Sequence, residues 1–160
     1  MTRPLRAWAR LRSTVVTVRW SVTIDCADPR ALARFWAVAL GYIERPPPPG
    51  FASWEAWFAD HSVPEEEWDD GAYLTDPEGV LPSLSFLKVP EGKIAKNRVH
   101  LDVQAGGGRE VPWETRWERV VEAVARLTAA GATVLREDRL DGRPDHLVMA
   151  DPEGNEFCVL

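Results

Sequence analysis

Cysteine is scarce in this chain. There are two, Cys26 and Cys158, with no Cys-x-x-Cys pair. A disulfide scaffold and a thiol-based redox motif are thereby excluded. By strand alternation Cys26 shares a face with Val22 and Ile24, while Cys158 lies on the opposite face with Glu156. No bridge is expected between them, and a reducing cytoplasm is the default compartment. No apolar stretch approaches the roughly 20 residues of a membrane span. There is no Ser-His-Asp signature and no glycine fingerprint between a strand and a helix. Gly106-Gly107-Gly108 lacks the lysine and the spacing of a phosphate loop.

Acidic residues and lysine are missing from residues 1–19, which hold five arginines, so the net charge of −6 divides into +5 there and −11 over the remainder. An acidic body argues against nucleic acid as the partner. The one apolar run of that segment, Val15–Val18, is too short for a secretory signal core. The segment reads as a frayed basic start whose end, Thr14–Val18, could be ordered.

What is present is a repeat. Asp-Pro-Glu-Gly occurs at Asp76–Gly79 and again at Asp151–Gly154, each time after a strand-like run. Upstream of each copy stand an alternating strand, an amphipathic helix and a further strand, so one unit is made twice. Module one covers about residues 20–89 and module two about 99–160, together forming one domain over 20–160. Units of about 75 residues are marginal alone and should share a core or exchange halves with a second chain. With 28% charged and 45% hydrophobic residues, the composition is that of an ordinary globular protein.

Local signals place the elements. A strand over Trp20–Cys26 leads to Asp28-Pro29, a cap and a first-turn proline, and Gly41 stops the helix whose buried stripe is Leu32, Phe35, Trp36, Ala39 and Leu40. A short strand near Tyr42–Glu44 and the stiff Pro46–Pro49 connector follow. An insert without counterpart in module two carries Ser53 as a cap, then Trp54, Trp57 and Phe58 at helical spacing, then an acidic run to Asp70. It is read either as a flap rimming a pocket with Trp54, Trp57 and Trp68, or as a cover for exposed core. Strands at about Ala72–Thr75 and Leu81–Val89 flank the first Asp-Pro-Glu-Gly turn. The connector Pro90–Arg98 carries Lys93, Lys96 and Arg98. Module two reads as a strand at Val99–Gln104, a helix at Trp113–Ala130 closed by Gly131, and strands at Thr133–Glu137, His146–Ala150 and Glu156–Leu160. The fold class is α+β: two tandem βαβββ modules forming a curved mixed sheet with helices on the outer face.

Alternation sends successive side chains to opposite faces. If Val22, Ile24 and Cys26 face the helices, then Ser21, Thr23 and Asp25 face the other way. In module two the helix set is Val99, Leu101 and Val103, and the opposite set His100, Asp102 and Gln104. Phe157 and Val159 point to the helices, Glu156 and Cys158 away from them. Asp25 and Asp102 are candidates for acid–base work if the two-fold relation brings them close. His146, beside the second turn, could reach the pocket mouth, while His61 lies in the insert.

These features resemble the vicinal oxygen chelate superfamily of glyoxalases, bleomycin-resistance proteins and extradiol dioxygenases, and within it the small glyoxalase-like proteins. The resemblance covers Trp20–Leu160. It rests on Asp28–Trp36 with Leu40-Gly41-Tyr42, on Lys96–Val103, and on Asp151–Phe157. It implies a homodimer and a small-molecule ligand held on the polar face, by Ser21, Thr23, Trp54, Trp57 and His146 among others. It also implies one divalent metal ion, with His100 and Glu156 at the first- and last-strand ligand positions of module two. In module one Ser21 stands opposite His100, and Leu81, or Ser83 with two residues inserted, opposite Glu156, so half of the usual ligand set is missing. Two functions compete: a metal-dependent lyase, isomerase or dioxygenase, and a non-catalytic binding protein of antibiotic-resistance type. Eight tryptophans and an acidic body suit a flat cationic guest in the second. Trp36 and Trp117 read as core, leaving Trp54, Trp57, Trp68 and Trp113 for a ligand. A purely structural or oligomeric module is a third reading.

Overall fold

The computed structural model describes residues 18–160, so that most of the basic start, including 14–17, lies outside the described residues. Module one runs β1 (Val22–Cys26), α1 (Pro29–Leu40), β2 (Ile43–Glu44), the insert helix α2 (Trp54–Asp60), a single 3-10 turn at Glu65–Glu67, β3 (Gly71–Thr75) and β4 (Leu84–Lys88). Module two runs β5 (Asp102–Val103), α3 (Trp113–Ala129), β6 (Thr133–Leu140), β7 (Arg143–Ala150) and β8 (Glu156–Val159). The strand orders are β1-β4-β3-β2 and β5-β8-β7-β6. In each module the first strand pairs parallel with the last, and the remaining pairs are antiparallel. The repeat seen in the sequence is thus a repeat of topology. The expected α+β tandem fold holds, with the curved surface made of two separately hydrogen-bonded four-stranded mixed sheets.

The first helix begins and ends where its residues dictate. Asp28 is extended and its carboxylate accepts the Ala31 N–H at 2.9 Å, and Pro29 loses nothing at a position whose N–H would be orphaned. Gly41 closes the helix at φ 70°, a left-handed turn that glycine adopts without steric cost. Leu32, Phe35, Trp36 and Ala39 are buried as expected. In the insert, Ser53 Oγ accepts the Ala56 N–H and so starts α2.

The modules share their core. Phe157 of β8 meets Phe35 at 5.8 Å and Trp36 at 5.2 Å between ring centroids, both in module one, and all three are at most 2% exposed. The second Asp-Pro-Glu-Gly turn secures this contact. Asp151, 3% exposed, accepts the Trp36 Nε1–H at 3.2 Å, the N–H groups of Glu153 and Asn155, and the Asn155 amide. Two residues on, the Glu153 carboxylate receives the N–H groups of Ala27 and Asp28 at 2.8–3.0 Å, capping the end of β1. The first copy differs. Asp76 accepts the N–H groups of Glu78, Val80 and Leu81, all within its own exposed turn.

Four expectations on extent are corrected. The strand foreseen at Val99–Gln104 is only Asp102–Val103, and Val99 is 74% exposed rather than turned to the helices, because the connector is held elsewhere, as described below. The strand foreseen from Leu81 begins at Leu84. The hairpin β6–β7 extends to Leu140 and Arg143 around Asp141-Gly142, both at positive φ. Asp-Gly is a strong two-residue hairpin signal, and it was readable from the residues. Both cysteines are free, with Cys26 buried.

Replacing Asp151 by Ala leaves several buried donors unpaired and should cost about 3 kcal/mol. Asp76→Ala, at an exposed turn, should cost clearly less. Equal losses in urea titrations of the two variants would contradict the assignment of the second turn as the inter-module clamp.

Candidate functional site

Along β1, Val22 and Ile24 pack toward the core while Thr23 and Asp25 are exposed on the face away from the helices. Here β1 ends its sheet, and the connector and β8 of module two lie opposite. Between them is a cavity of about 380 Å³ in which Thr23, Asp25, Asn97, Arg98, Asn155 and Glu156 supply polar groups and Val22, Ile24, Val99 and Leu101 apolar surface, with the buried Trp36 and Phe157 behind them. The two-fold relation therefore creates a site of mixed polar and apolar lining at the module junction, and it brings Thr23, Asp25 and Glu156 to it. Asp102 is not part of that lining; burial first, and the nearby Asp102 charge next, raise the Cys158 pKa. Ser21 lies beyond the end of β1, beside Trp20 and Pro82 around a different groove.

The register identifies module one's counterpart of Glu156. Thr23 pairs with Ser85, and Asp102 with Cys158. With Thr23 equivalent to Asp102, Ser83 is equivalent to Glu156. The half-site of module one is thus Ser21 and Ser83, neither a strong ligand for a divalent cation.

In module two both candidate ligands are engaged by the connector. Glu156 Oε2 accepts the Asn97 N–H at 3.0 Å and forms an ion pair with Lys93 Nζ at 3.0 Å, the two side chains being only 16% and 24% exposed. The Asn97 N–H first, and Lys93 next, hold the Glu156 carboxyl down to about 2 from its usual 4.5. His100 Nε2 lies 2.7 Å from Lys96 Nζ. An ammonium donates and cannot accept, so Nε2 accepts here and the imidazole proton sits on Nδ1. No group of three or more His, Cys, Asp or Glu side chains able to hold a metal ion occurs among the described residues. The residues present do not fit a resident divalent ion: two protein ligands fall short of the usual three, and each of the two already faces an ammonium. This anchoring also explains why residues 97–100 leave the sheet, while the Leu101 carbonyl already accepts the Cys158 N–H at 2.9 Å.

His146 is placed apart from Glu156. Its Nε2 lies 3.1 Å from Asp138 and its Nδ1 3.1 Å from the buried Asp145, which Arg109 grips with two hydrogen bonds. Hydrogen bonding from Arg109 lowers the Asp145 pKa despite burial. Trp113 stacks parallel to Trp117 at 6.3 Å and donates to the Pro144 carbonyl. The insert's rings form a separate cluster: Trp54 stacks on Tyr73 at 4.9 Å, Phe58 on Trp68 at 6.0 Å and Trp57 on His61 at 4.1 Å. Trp54 and Trp68 line a cavity of about 320 Å³ with α1, whereas Trp57 does not. That cavity borders Ala72 and Leu74, which pack toward α1, so it lies on the helix side of module one and not on the polar face. The thiol of Cys26, pushed up to about 12 mainly by burial, donates to the Leu87 carbonyl and stays neutral.

Sequence reasoning noted Lys93 and Lys96 only as connector charges and did not see their part in the site. A signal existed, because the three lysines of the chain, Lys88, Lys93 and Lys96, fall within nine residues. Which acids they would meet depended on the path of the connector.

Comparison with known proteins agrees with this architecture. A family model described as glyoxalase-like domain matches residues 21–160. The chain belongs to that family, within the vicinal oxygen chelate superfamily. No curated protein matches it. Among solved structures, a glyoxalase/bleomycin resistance protein/dioxygenase family enzyme from Burkholderia phytofirmans PsJN is similar at 18% identity, over 87% of this chain and 94% of that one, with a TM-score of 0.54. A possible glyoxalase from Bacillus cereus is similar at 16% identity, over 91% and 99% of the two chains, with a TM-score of 0.54. A mutant of the fosfomycin resistance protein FosX from Listeria monocytogenes, complexed with Mn(II) and 1S,2S-dihydroxypropylphosphonic acid, is similar at 13% identity, over 91% and 90%, with a TM-score of 0.55. At these identities the likeness is one of fold.

Because the folded value of Glu156 lies below its usual one, the unfolded chain takes up that proton first as pH falls, and the stability this group contributes above about 4.5 is lost on the way down to about 2. Glu156→Gln should remove that component, so its stability should fall less steeply than wild type across this window. Parallel stability–pH curves for the two proteins would contradict the latch geometry.

Proposed function

We propose that this chain is a small-molecule-binding glyoxalase-like protein of the resistance type, which holds its ligand at the module junction without a resident metal. The observation that carries this reading is the pairing of Glu156 with Lys93 and of His100 with Lys96, which puts ammonium groups against both candidate metal ligands. In this reading Thr23, Asp25 and Arg98 meet the ligand, while Ser21 and His146 lie outside the cavity. Binding then draws on hydrogen bonds from these groups and on apolar contact with Val99 and Leu101. A homodimer fits both the family and the exposure of Trp20, Val80 and Leu81 around one groove. A cytoplasmic home fits two free thiols, and no helix of the described residues is long and apolar enough to cross a membrane.

A second reading is a metal-dependent lyase, isomerase or dioxygenase, with His100 and Glu156 among the ligands and Asp25 and Asp102 moving protons. It is favoured by the residue types at these two positions and by the Mn(II) of the FosX complex. It requires Lys93 and Lys96 to withdraw, and Asp102, outside the cavity lining, to reach it.

Metal analysis of tag-free protein separates the two. The binding reading expects near-zero divalent metal in the wild type, in His100→Ala and in Glu156→Ala, with thermal shifts on adding small-molecule ligands that weaken in Thr23→Val. Stoichiometric metal in the wild type that disappears in either alanine variant would establish the second reading instead. For the dimer, sedimentation at micromolar concentration should give twice the 17.9 kDa chain mass; monomer alone would reject it.

A further inference from the structure

We propose a second small-molecule site on the helix side of module one, in the cavity between α1 and the insert, which takes a flat, uncharged heteroaromatic ring system. One wall is the flank of α1 made by Arg30, Ala33, Arg34 and Ala37, at i, i+3, i+4 and i+7. The floor is Ala72 and Leu74 of β3, and the roof is Trp54, Phe58 and Trp68. This flank is distinct from the one carrying Phe35 and Trp36, which packs on Phe157. The site is therefore independent of the module junction, and module two has no insert to build its like.

Several features distinguish the cavity from a simple cover over core. Large rings face small side chains, Ala33, Ala37 and Ala72, and leave about 320 Å³ unfilled. Interiors pack to the density of organic crystals, so a cover would settle onto those alanines or meet larger residues. That volume is at the lower end of ligand pockets, which run from roughly 300 to 1,000 Å³, and suits one or two fused rings. The roof is also held in place. Trp54 donates its indole N–H to the Arg45 carbonyl at 2.8 Å and leans on Tyr73, and Trp68 donates to the Val63 carbonyl at 3.0 Å. With both indole N–H groups used, the rings offer π faces and edges, which favour offset-stacked or edge-to-face aromatic contact.

Charge selects the class. The lining carries Arg30 and Arg34 against Glu44 and Glu55, with Arg30 paired to Asp69 at 2.6 Å. Opposite charges in balance give a site that supplies both donors and acceptors and rewards a polar edge, while a full charge of either sign would meet a like charge close by.

The test uses 2-quinolinone as the probe, with 1-methylquinolinium and 2-naphthoate as its charged comparators, followed by tryptophan fluorescence and saturation-transfer NMR on the full chain. 2-Quinolinone should quench or shift tryptophan emission saturably and bind better than either ion. Ala37→Leu, which projects from the α1 wall into the cavity, should weaken it about tenfold or more, while Thr23→Val at the junction should leave it unchanged. Should Ala37→Leu fail to fold, Phe58→Ala in the half-buried roof gives the same reading. Absence of saturable binding, tighter binding of either ion, or unchanged affinity in the folded cavity variant would overturn the proposal. A failure of the junction reading shows instead in the metal content and in ligands sensitive to Thr23→Val.

Discussion

The carboxylate of Asp151 binds two structures that would otherwise be separate. It closes its own turn through Glu153 and Asn155 and receives the indole N–H of Trp36 from the other module. Burial makes the arrangement strict, since a carboxylate out of water must have its acceptor sites filled. Phe157 follows this turn into β8 and reaches the aromatic cluster of α1, so a polar contact and an apolar one act at the same junction. Glu153 then fixes the end of β1 from the same turn. The position of β1 against β8, and with it the junction cavity, depends on these five residues.

The two modules share a topology but not a division of labour. The turn at Asp151 is buried and bridges, whereas the one at Asp76 satisfies only itself. Module two retains His100 and Glu156, whereas module one has Ser21 and Ser83 at the equivalent places. Module one has gained the insert, and module two a long hairpin whose tip uses Asp141-Gly142. A repeat of this kind keeps the hydrogen-bond ladders and the core pattern, which the backbone demands, and lets positions on the free face change.

Much of the fold was legible because its signals are local. Asp28-Pro29, Gly41, Ser53 and Gly131 act within one turn of where they stand, and alternation in β1 and β8 needs only neighbouring residues. The repeated tetrapeptide supplied the tandem arrangement. The candidate site was less legible, because its partners are distant in sequence and the connector between modules has no periodicity. Lys93 and Asn97 reach Glu156 across 63 and 59 residues, and with their contacts in place the chain pairs with β8 only from Leu101, not from Val99 as alternation predicts. The insert was legible as an amphipathic helix, but the side of the sheet it covers depends on the path from β2 to β3.

A divalent cation in this fold would need the free ends of its ligands to converge on open space. Here the connector supplies its own cation, Lys93, already covalently attached and held close by the chain, so no association entropy opposes its pairing with Glu156. An incoming ion must displace Lys93 from a carboxylate that stays charged down to about pH 2, and must also break the Asn97 N–H contact. With serines at the other half-site, it regains too few ligands to offset that loss. The two candidate ligand positions of module two are thus taken up by an ammonium–carboxylate pair, Lys93 with Glu156, and an ammonium–imidazole contact, Lys96 with His100.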